Sequence, residues 1–289
     1  MSNKLIKKQY FIIDFDSTFI SIETLDELAK IALNNNPDKN KIIKQITATT
    51  KRGMEGKISF TQSLNQRLKL FSANKEHVQT LLSQLEEKIT PSLLQNSHFP
   101  KQFAKQIYII SGGFKEYIVP IVAKLGITEE HVLANTFTYD KKGNITGFDS
   151  KNLLSQVNGK AKAVKRLGLK GEIIVVGDGY TDYQIKEQGY AHQFFAFTEH
   201  VSRPEVIKKA DKVIANFDEL LYYFNMPRAL SYPKSKIRVL LLGNIHPKAK
   251  ETFKKEGYSV EEIAKSPDEN ELIDKLQDVS IVGISSRTY

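Results

Sequence analysis

The chain has 289 residues, 40% hydrophobic and 26% charged, which suits one large or two ordinary domains and excludes a disordered chain, a collagen or a repeat fibre. It contains no cysteine, which excludes disulfides, zinc-thiolate sites and cysteine nucleophiles; a soluble, cytoplasmic protein is the expectation. The net charge of +9 attracts an anionic substrate or nucleic acid, or reflects solvated lysine-rich helix faces, and no nucleic-acid motif accompanies it.

Met1–Lys8 is basic but lacks the apolar core of a signal peptide. Tyr10-Phe11-Ile12-Ile13 then runs into Asp14. Two similar runs follow: Ile107-Tyr108-Ile109-Ile110 into Ser111, and Ile173-Ile174-Val175-Val176 into Gly177-Asp178. Short, uniformly apolar, β-branched runs predict strands buried on both faces of a parallel sheet. Helical patterns over 115–125 and 160–167 lie between them, so the fold class is α/β. In such sheets ligands bind at the carboxyl ends of the strands, where all three polar clusters fall.

Between the first two runs, residues 21–90 break into about four helices, a cap over the strand ends. Within it Ser59 and Gln62 form a capping-box pattern before Leu64 and Leu68. Residues 135–147 predict a hairpin turning at Lys142-Gly143-Asn144. The domain so formed spans 1–226, and Pro227–Lys236 reads as a linker. Residues 237–289 predict a small β-α-β-α-β unit. Nine basic residues balance nine acidic ones from Lys236 onward, so the charge excess lies before it. The longest apolar runs, such as Val239–Leu242, fall far short of the roughly 18 residues of a membrane helix.

Asp14-Phe15-Asp16-Ser17-Thr18 carries the chemistry. Alternate residues leaving a strand point the same way, so Asp14 and Asp16 face one pocket. One carboxylate can attack phosphorus and the other can protonate the leaving oxygen and then activate water. Alone, the pair reads equally as two turn or capping aspartates. Asp178 and Asp182 on the Gly-flanked turn after the third run suit Mg²⁺. Ser111-Gly112-Gly113 offers a hydroxyl and backbone N–H groups to phosphoryl oxygens. Lys160 opens a helix and can neutralise phosphoryl charge, with Lys162 as its rival. The six histidines show no ligand spacing and read as surface or packing residues.

Together these four motifs resemble those of the haloacid-dehalogenase-type phosphatases, a Rossmann-like parallel sheet with a cap inserted after the first strand. The helical insert narrows the resemblance to phosphoserine phosphatases, over roughly 9–224. The resemblance implies Asp14 as nucleophile, Asp16 as acid and base, and Lys160 and Ser111 as catalytic residues. Mg²⁺ would be held by Asp14, Asp16 through its carbonyl, Asp178 and Asp182. It places Glu23, Met54, Phe60, Arg67, Ser111, Gly112 and Thr181 around the substrate, Glu23 opposite an ammonium and Arg67 opposite a carboxylate. Thr18 would support the loop. Other small phosphomonoesters, such as phosphohomoserine, phosphocholine or a sugar phosphate, and phosphotransfer to another hydroxy amino acid are the alternatives. The aromatic segment Ala191–Phe197 is a departure expected to alter the pocket wall.

The tail, in Ile237–Gly243 and Ile284–Thr288, resembles the first part of the D-3-phosphoglycerate dehydrogenases. It carries no G-x-G-x-x-G fingerprint, so no dehydrogenase activity is expected. The expected partner is a small phosphomonoester, with neither nucleic acid nor membrane; a homodimer through the tail is left open.

Overall fold

The apolar runs are parallel strands. The computed structural model describes residues 8–229, 234–264 and 268–285, and the chain forms two units, 1–228 and 229–289. In the first, β1 (Gln9–Ile13) is followed by α1 (Thr24–Ala32), α2 (Lys39–Met54), α3 (Phe60–Leu68) and α4 (Lys75–Leu85), then by the short α5 (Pro91–Gln95) and α6 (His98–Gln102). Next come β2 (Ile107–Phe114), α7 (Lys115–Ala123), β3 (Val132–Asn135) and a hairpin of β4 (Phe137–Tyr139) and β5 (Ile145–Phe148). The unit closes with α8 (Gly159–Leu167), β6 (Glu172–Gly177), α9 (Tyr180–Glu187), β7 (Gln193–Phe197), α10 (Pro204–Ile207), β8 (Lys212–Ile214) and α11 (Phe217–Tyr223).

Six of these strands form one parallel sheet in the order β3-β2-β1-β6-β7-β8. Alternate side chains feed two cores. Phe11, Ile13, Ile174 and Val176 enter one, while Ile12, Ile173 and Val175 enter the other. Burial on both faces explains why the runs carry no polar alternation. From β1 the chain goes to β2 and β3 on one side and later to β6 on the other. The order therefore reverses between β1 and β6, the point at which such sheets leave a crevice for ligands. Asp14 follows β1, Asp178 follows β6, and the Asp14 N–H donates to the Val176 carbonyl at 3.0 Å.

The cap stands on two adjacent crossings. Ile20 and Ile89 pair as an antiparallel bridge, with Ser21 N–H donating to Lys88 O at 2.8 Å and Thr90 N–H to Phe19 O at 3.0 Å. The capping box forms: Gln62 N–H donates to Ser59 Oγ and Ser59 N–H to Gln62 Oε1, starting α3. The hairpin reaches the cap as well, through Ile145 N–H to Ala73 O at 2.8 Å.

One expectation is overturned. Phe194, Phe195 and Phe197 lie in β7 and are fully buried, one ring in one core and two in the other. The sheet consumes these rings, and none lines the cavity beyond β1.

The second unit holds β9 (Arg238–Leu242), α12 (Pro247–Lys255), β10 (Ser259–Ile263), α13 (Glu269–Leu276) and β11 (Ile281–Ile284). Its three strands are parallel in the order β10-β9-β11. Residues 230–233 of the expected linker, and Ser286–Thr288 of the tail resemblance, lie outside the described residues. Among those described, no helix is long and apolar enough to cross a membrane.

Candidate active site

Past β1 the chain makes a wide turn. Phe19 N–H donates to Asp14 O and Ile20 N–H to Phe15 O, and Ser17 sits at φ 53°. This turn buries Asp14 and Asp16 side by side. Asp14 Oδ1 accepts from Phe15 N–H at 2.7 Å and meets Lys160 Nζ at 2.7 Å. Asp16 points elsewhere: its Oδ1 accepts from both the N–H and the hydroxyl of Thr24, at 2.9 and 2.7 Å.

Lys160 enters from the first turn of α8 and bridges Asp14 to Asp182 Oδ1 at 2.8 Å. Lys162 is exposed and bonds Gln156, so it takes no part. Asp182 Oδ2 accepts from Gly179 N–H at 3.1 Å. Gly177 is required by close approach, because a Cβ there would stand 2.3 Å from the Asp182 carboxyl carbon. Ser111 is buried within β2, three residues before its end, and its Oγ accepts from Gly113 N–H at 2.9 Å. The Phe60 ring lies on Gly112, where a Cβ would meet it at 2.4 Å.

Asp14, Asp16, Glu23, Met54, Phe60, Arg67, Ser111, Gly112, Lys160 and Thr181 line one cavity of about 20 Å³. Asp178 and Asp182 stand beside it. Thr18 Oγ1 lies 3.5 Å from Asp178 Oδ1. None of the six histidines lines it; His77 and His246, for example, cap helix N-termini, and His131 bonds the Ile107 carbonyl.

Several partners left no signal in the sequence. Arg203, just before α10, pairs with Asp178 Oδ2 at 2.9 Å and Glu23 Oε1 at 3.3 Å. Glu23 also accepts from the Ser17 hydroxyl at 3.0 Å. Arg67 is buried and already faces Asp26 at 3.5 Å and Thr50 at 3.2 Å. Those contacts join residues far apart in the chain, and no local pattern announces them. A polar Thr24 and Asp26 on the buried face of α1 were the only available hint.

Burial dominates the electrostatics. It lifts the Asp16 carboxyl to about 8, with Glu23 adding repulsion. It lifts Asp182 to about 7, with Asp14 adding repulsion, and holds Asp178 well above the ordinary range despite Arg203. Burial pushes the Lys160 ammonium down, but Asp14 and Asp182 outweigh it and raise it overall.

One carboxylate atom from each of Asp14, Asp178 and Asp182 lies within 4.8 Å of the others. Three buried carboxylates are an all-oxygen donor set, the kind a hard divalent ion takes. The raised proton affinities of Asp178 and Asp182 are those of a site short of positive charge, so this donor set fits Mg²⁺.

The family model for haloacid dehalogenase-like hydrolases matches residues 11–187. Phosphoserine phosphatase of Bos taurus is 32% identical over 211 residues, 72% of this chain and 89% of that protein. The crystal structure of a phosphoserine phosphohydrolase-like protein from Francisella tularensis superposes with a TM-score of 0.68 at 33% identity, covering 75% of this chain and 99% of that one. A phospho-aspartyl intermediate analogue of phosphoserine phosphatase gives 0.60 at 26% identity, again covering 75% and 99%.

Proposed function

The chain belongs to the haloacid dehalogenase-like hydrolases, and from that premise we propose that it hydrolyses L-phosphoserine to serine and phosphate, with Mg²⁺, through an aspartyl-phosphate on Asp14. The observation that carries the reading is the convergence of Asp14, Asp16, Lys160, Glu23 and Arg67 on one small cavity.

Asp14 Oδ1 is held by Lys160 and its own loop, which leaves Oδ2 to attack phosphorus. Asp16 gives its proton to the departing seryl oxygen, and later takes one from the water that attacks the aspartyl-phosphate. The Ser111 hydroxyl, the Gly112 N–H and Lys160 hold the equatorial oxygens, where transition-state charge is spread. Asp14, Asp178, Asp182 and the Asp16 carbonyl would hold Mg²⁺, which when bound supplies positive charge to the phosphoryl oxygens. Asp182 keeps Lys160 aimed, and Thr18 supports Asp178 across the loop. Glu23 receives the substrate ammonium and Arg67 its carboxylate, gripped through two parallel bonds. Met54, Phe60 and Thr181 close the wall.

We read residues 1–226 as the phosphatase domain and 227–236 as the linker. The tail we read as a D-3-phosphoglycerate dehydrogenase-like segment; the parallel β10-β9-β11 order supports this. A chain without cysteine fits the cytoplasm, which we take as its setting.

Phosphate release is measured from phosphoserine, phosphoethanolamine, which lacks the carboxylate, and 3-phosphooxypropanoate, which lacks the ammonium, with Mg²⁺ or EDTA, beside Asp14→Asn. Mg²⁺-dependent release, highest for phosphoserine and absent in the variant, is expected. Equal release from the two truncated esters would sink the Glu23 and Arg67 assignments. Turnover of only other esters, phosphocholine among them, would replace the substrate and keep the chemistry.

A further inference from the structure

The general acid is not held by its own loop. Asp16 Oδ1 takes two hydrogen bonds from one residue, Thr24: the backbone N–H at 2.9 Å and the hydroxyl at 2.7 Å. Among the described residues, no hydrogen bond reaches Asp16 Oδ2. Thr24 is the first residue of α1, and the residue before it, Glu23, makes no side-chain capping bond. The free N–H of this helix start is therefore satisfied by a carboxylate eight residues upstream. Thr24 is fully buried and β-branched, so its rotamer is stiff. The buried Tyr117 hydroxyl lies against it.

A carboxyl oxygen that accepts two donors has no room for a hydrogen of its own. The proton of Asp16 must then sit on Oδ2, the oxygen left for the cavity. We propose that Thr24 is a positioning residue for the general acid: by occupying Asp16 Oδ1 it makes Oδ2 the oxygen that protonates the leaving alcohol. This rests on the phosphatase reading and deepens it. It also makes the first turn of the cap part of the acid's alignment, so the acid is in place only when α1 is.

The test separates loss of protonation from loss of structure. A serine leaving group needs a proton as its bond to phosphorus breaks, whereas p-nitrophenolate leaves without one. kcat/KM reports the phosphorylation step, so it is measured for phosphoserine and for p-nitrophenyl phosphate. The proteins are the full chain, Thr24→Val, which removes the hydroxyl and keeps the N–H, and Thr24→Ser, which keeps both donors.

Thr24→Val is expected to lower kcat/KM for phosphoserine by about tenfold or more, within the range of general acid catalysis. It should change p-nitrophenyl phosphate by less than about threefold, and Thr24→Ser should stay near the parent on both. An equal fall on both esters, no fall on phosphoserine, or failure of Thr24→Ser to restore it overturns the proposal. If Thr24→Val melts below the assay temperature, Thr24→Ala makes the same comparison. If the parent chain ignores phosphoserine, the substrate reading fails, and the ratio is taken with the alkyl phosphate it does hydrolyse. If it hydrolyses no ester, both readings fall.

Discussion

At Asp16, burial, Glu23 and Asp14 favour the neutral carboxyl, and the two Thr24 bonds resist; the outcome is about 8. A general acid must carry its proton at the working pH. The protonated fraction falls as pH rises through that value, so kcat/KM should fall on the alkaline side. Bound Mg²⁺ favours the anion, which puts the limb no higher than about pH 8. A pH profile of kcat/KM checks this, and a rate still climbing past that point would contradict it. Arg67 calls for a different experiment. Removing its side chain leaves the buried Asp26 carboxylate only the Thr47 and Thr50 hydroxyls, a loss of stability that would hide any effect on binding. Arg67→Lys keeps the charge and loses the planar fork. It is expected to raise KM for phosphoserine about tenfold, close to 1.4 kcal/mol, with a much smaller change in KM for phosphoethanolamine. Matching changes in both KM values would move the carboxylate contact to another residue.

Helix α3 shows how an element serves the site. Its capping box fixes where the helix begins, and the first residue inside is Phe60, whose ring lies on Gly112; two turns on, Arg67 reaches the cavity. Ser59→Ala should cost about 1 kcal/mol of stability, read as a lower midpoint in urea. Gly112→Ala drives a methyl into the Phe60 ring, so the ring and its helix start must shift. A raised KM with the melting temperature little changed is the expected result. An unaltered KM would mean that Phe60 does not line the bound substrate. The legible parts of this architecture are local. The strands β1, β2 and β6, the four cap helices and the box at Ser59 follow from runs of four to sixteen residues. So do the acidic and glycine clusters at the strand ends, because the parallel sheet brings those strand ends together. What escaped is non-local: Arg203 meets Glu23 from 180 positions away, and Asp26 claims Arg67 from across the cap. The aromatic segment in β7 misled because aromatic rings mark a wall or a core equally well, and only the sheet order decides between them.

For the whole first unit, the site is a thermodynamic liability that a bound cation would relieve. The cavity of about 20 Å³ has room for roughly one water molecule, and a neighbouring pocket of about 240 Å³ shares its lining residues Phe60, Gly112, Lys160 and Thr181. Beside it, burial raises Asp16 to about 8, Asp182 to about 7 and Asp178 well above its ordinary range. A carboxyl whose folded value lies above its unfolded one binds protons more tightly when folded. Its contribution to stability is therefore favourable at pH below the unfolded value, near 3.8, and is lost as pH climbs toward the folded value. Near neutrality these three groups oppose folding. Mg²⁺ held by the ionised carboxylates of the folded state would contribute about 2.7 kcal/mol at a hundred times its dissociation constant. For a unit of this size that is a rise in melting temperature of roughly 5–10 °C. At pH 5 protons compete for the same oxygens, so the rise at equal Mg²⁺ should be smaller. Asp178→Asn should remove most of the response at both pH values. Thermal melts at pH 5 and pH 7, with Mg²⁺ or EDTA, read all of this without turnover. A midpoint indifferent to Mg²⁺, or a larger rise at pH 5, would move the ion away from Asp14, Asp178 and Asp182.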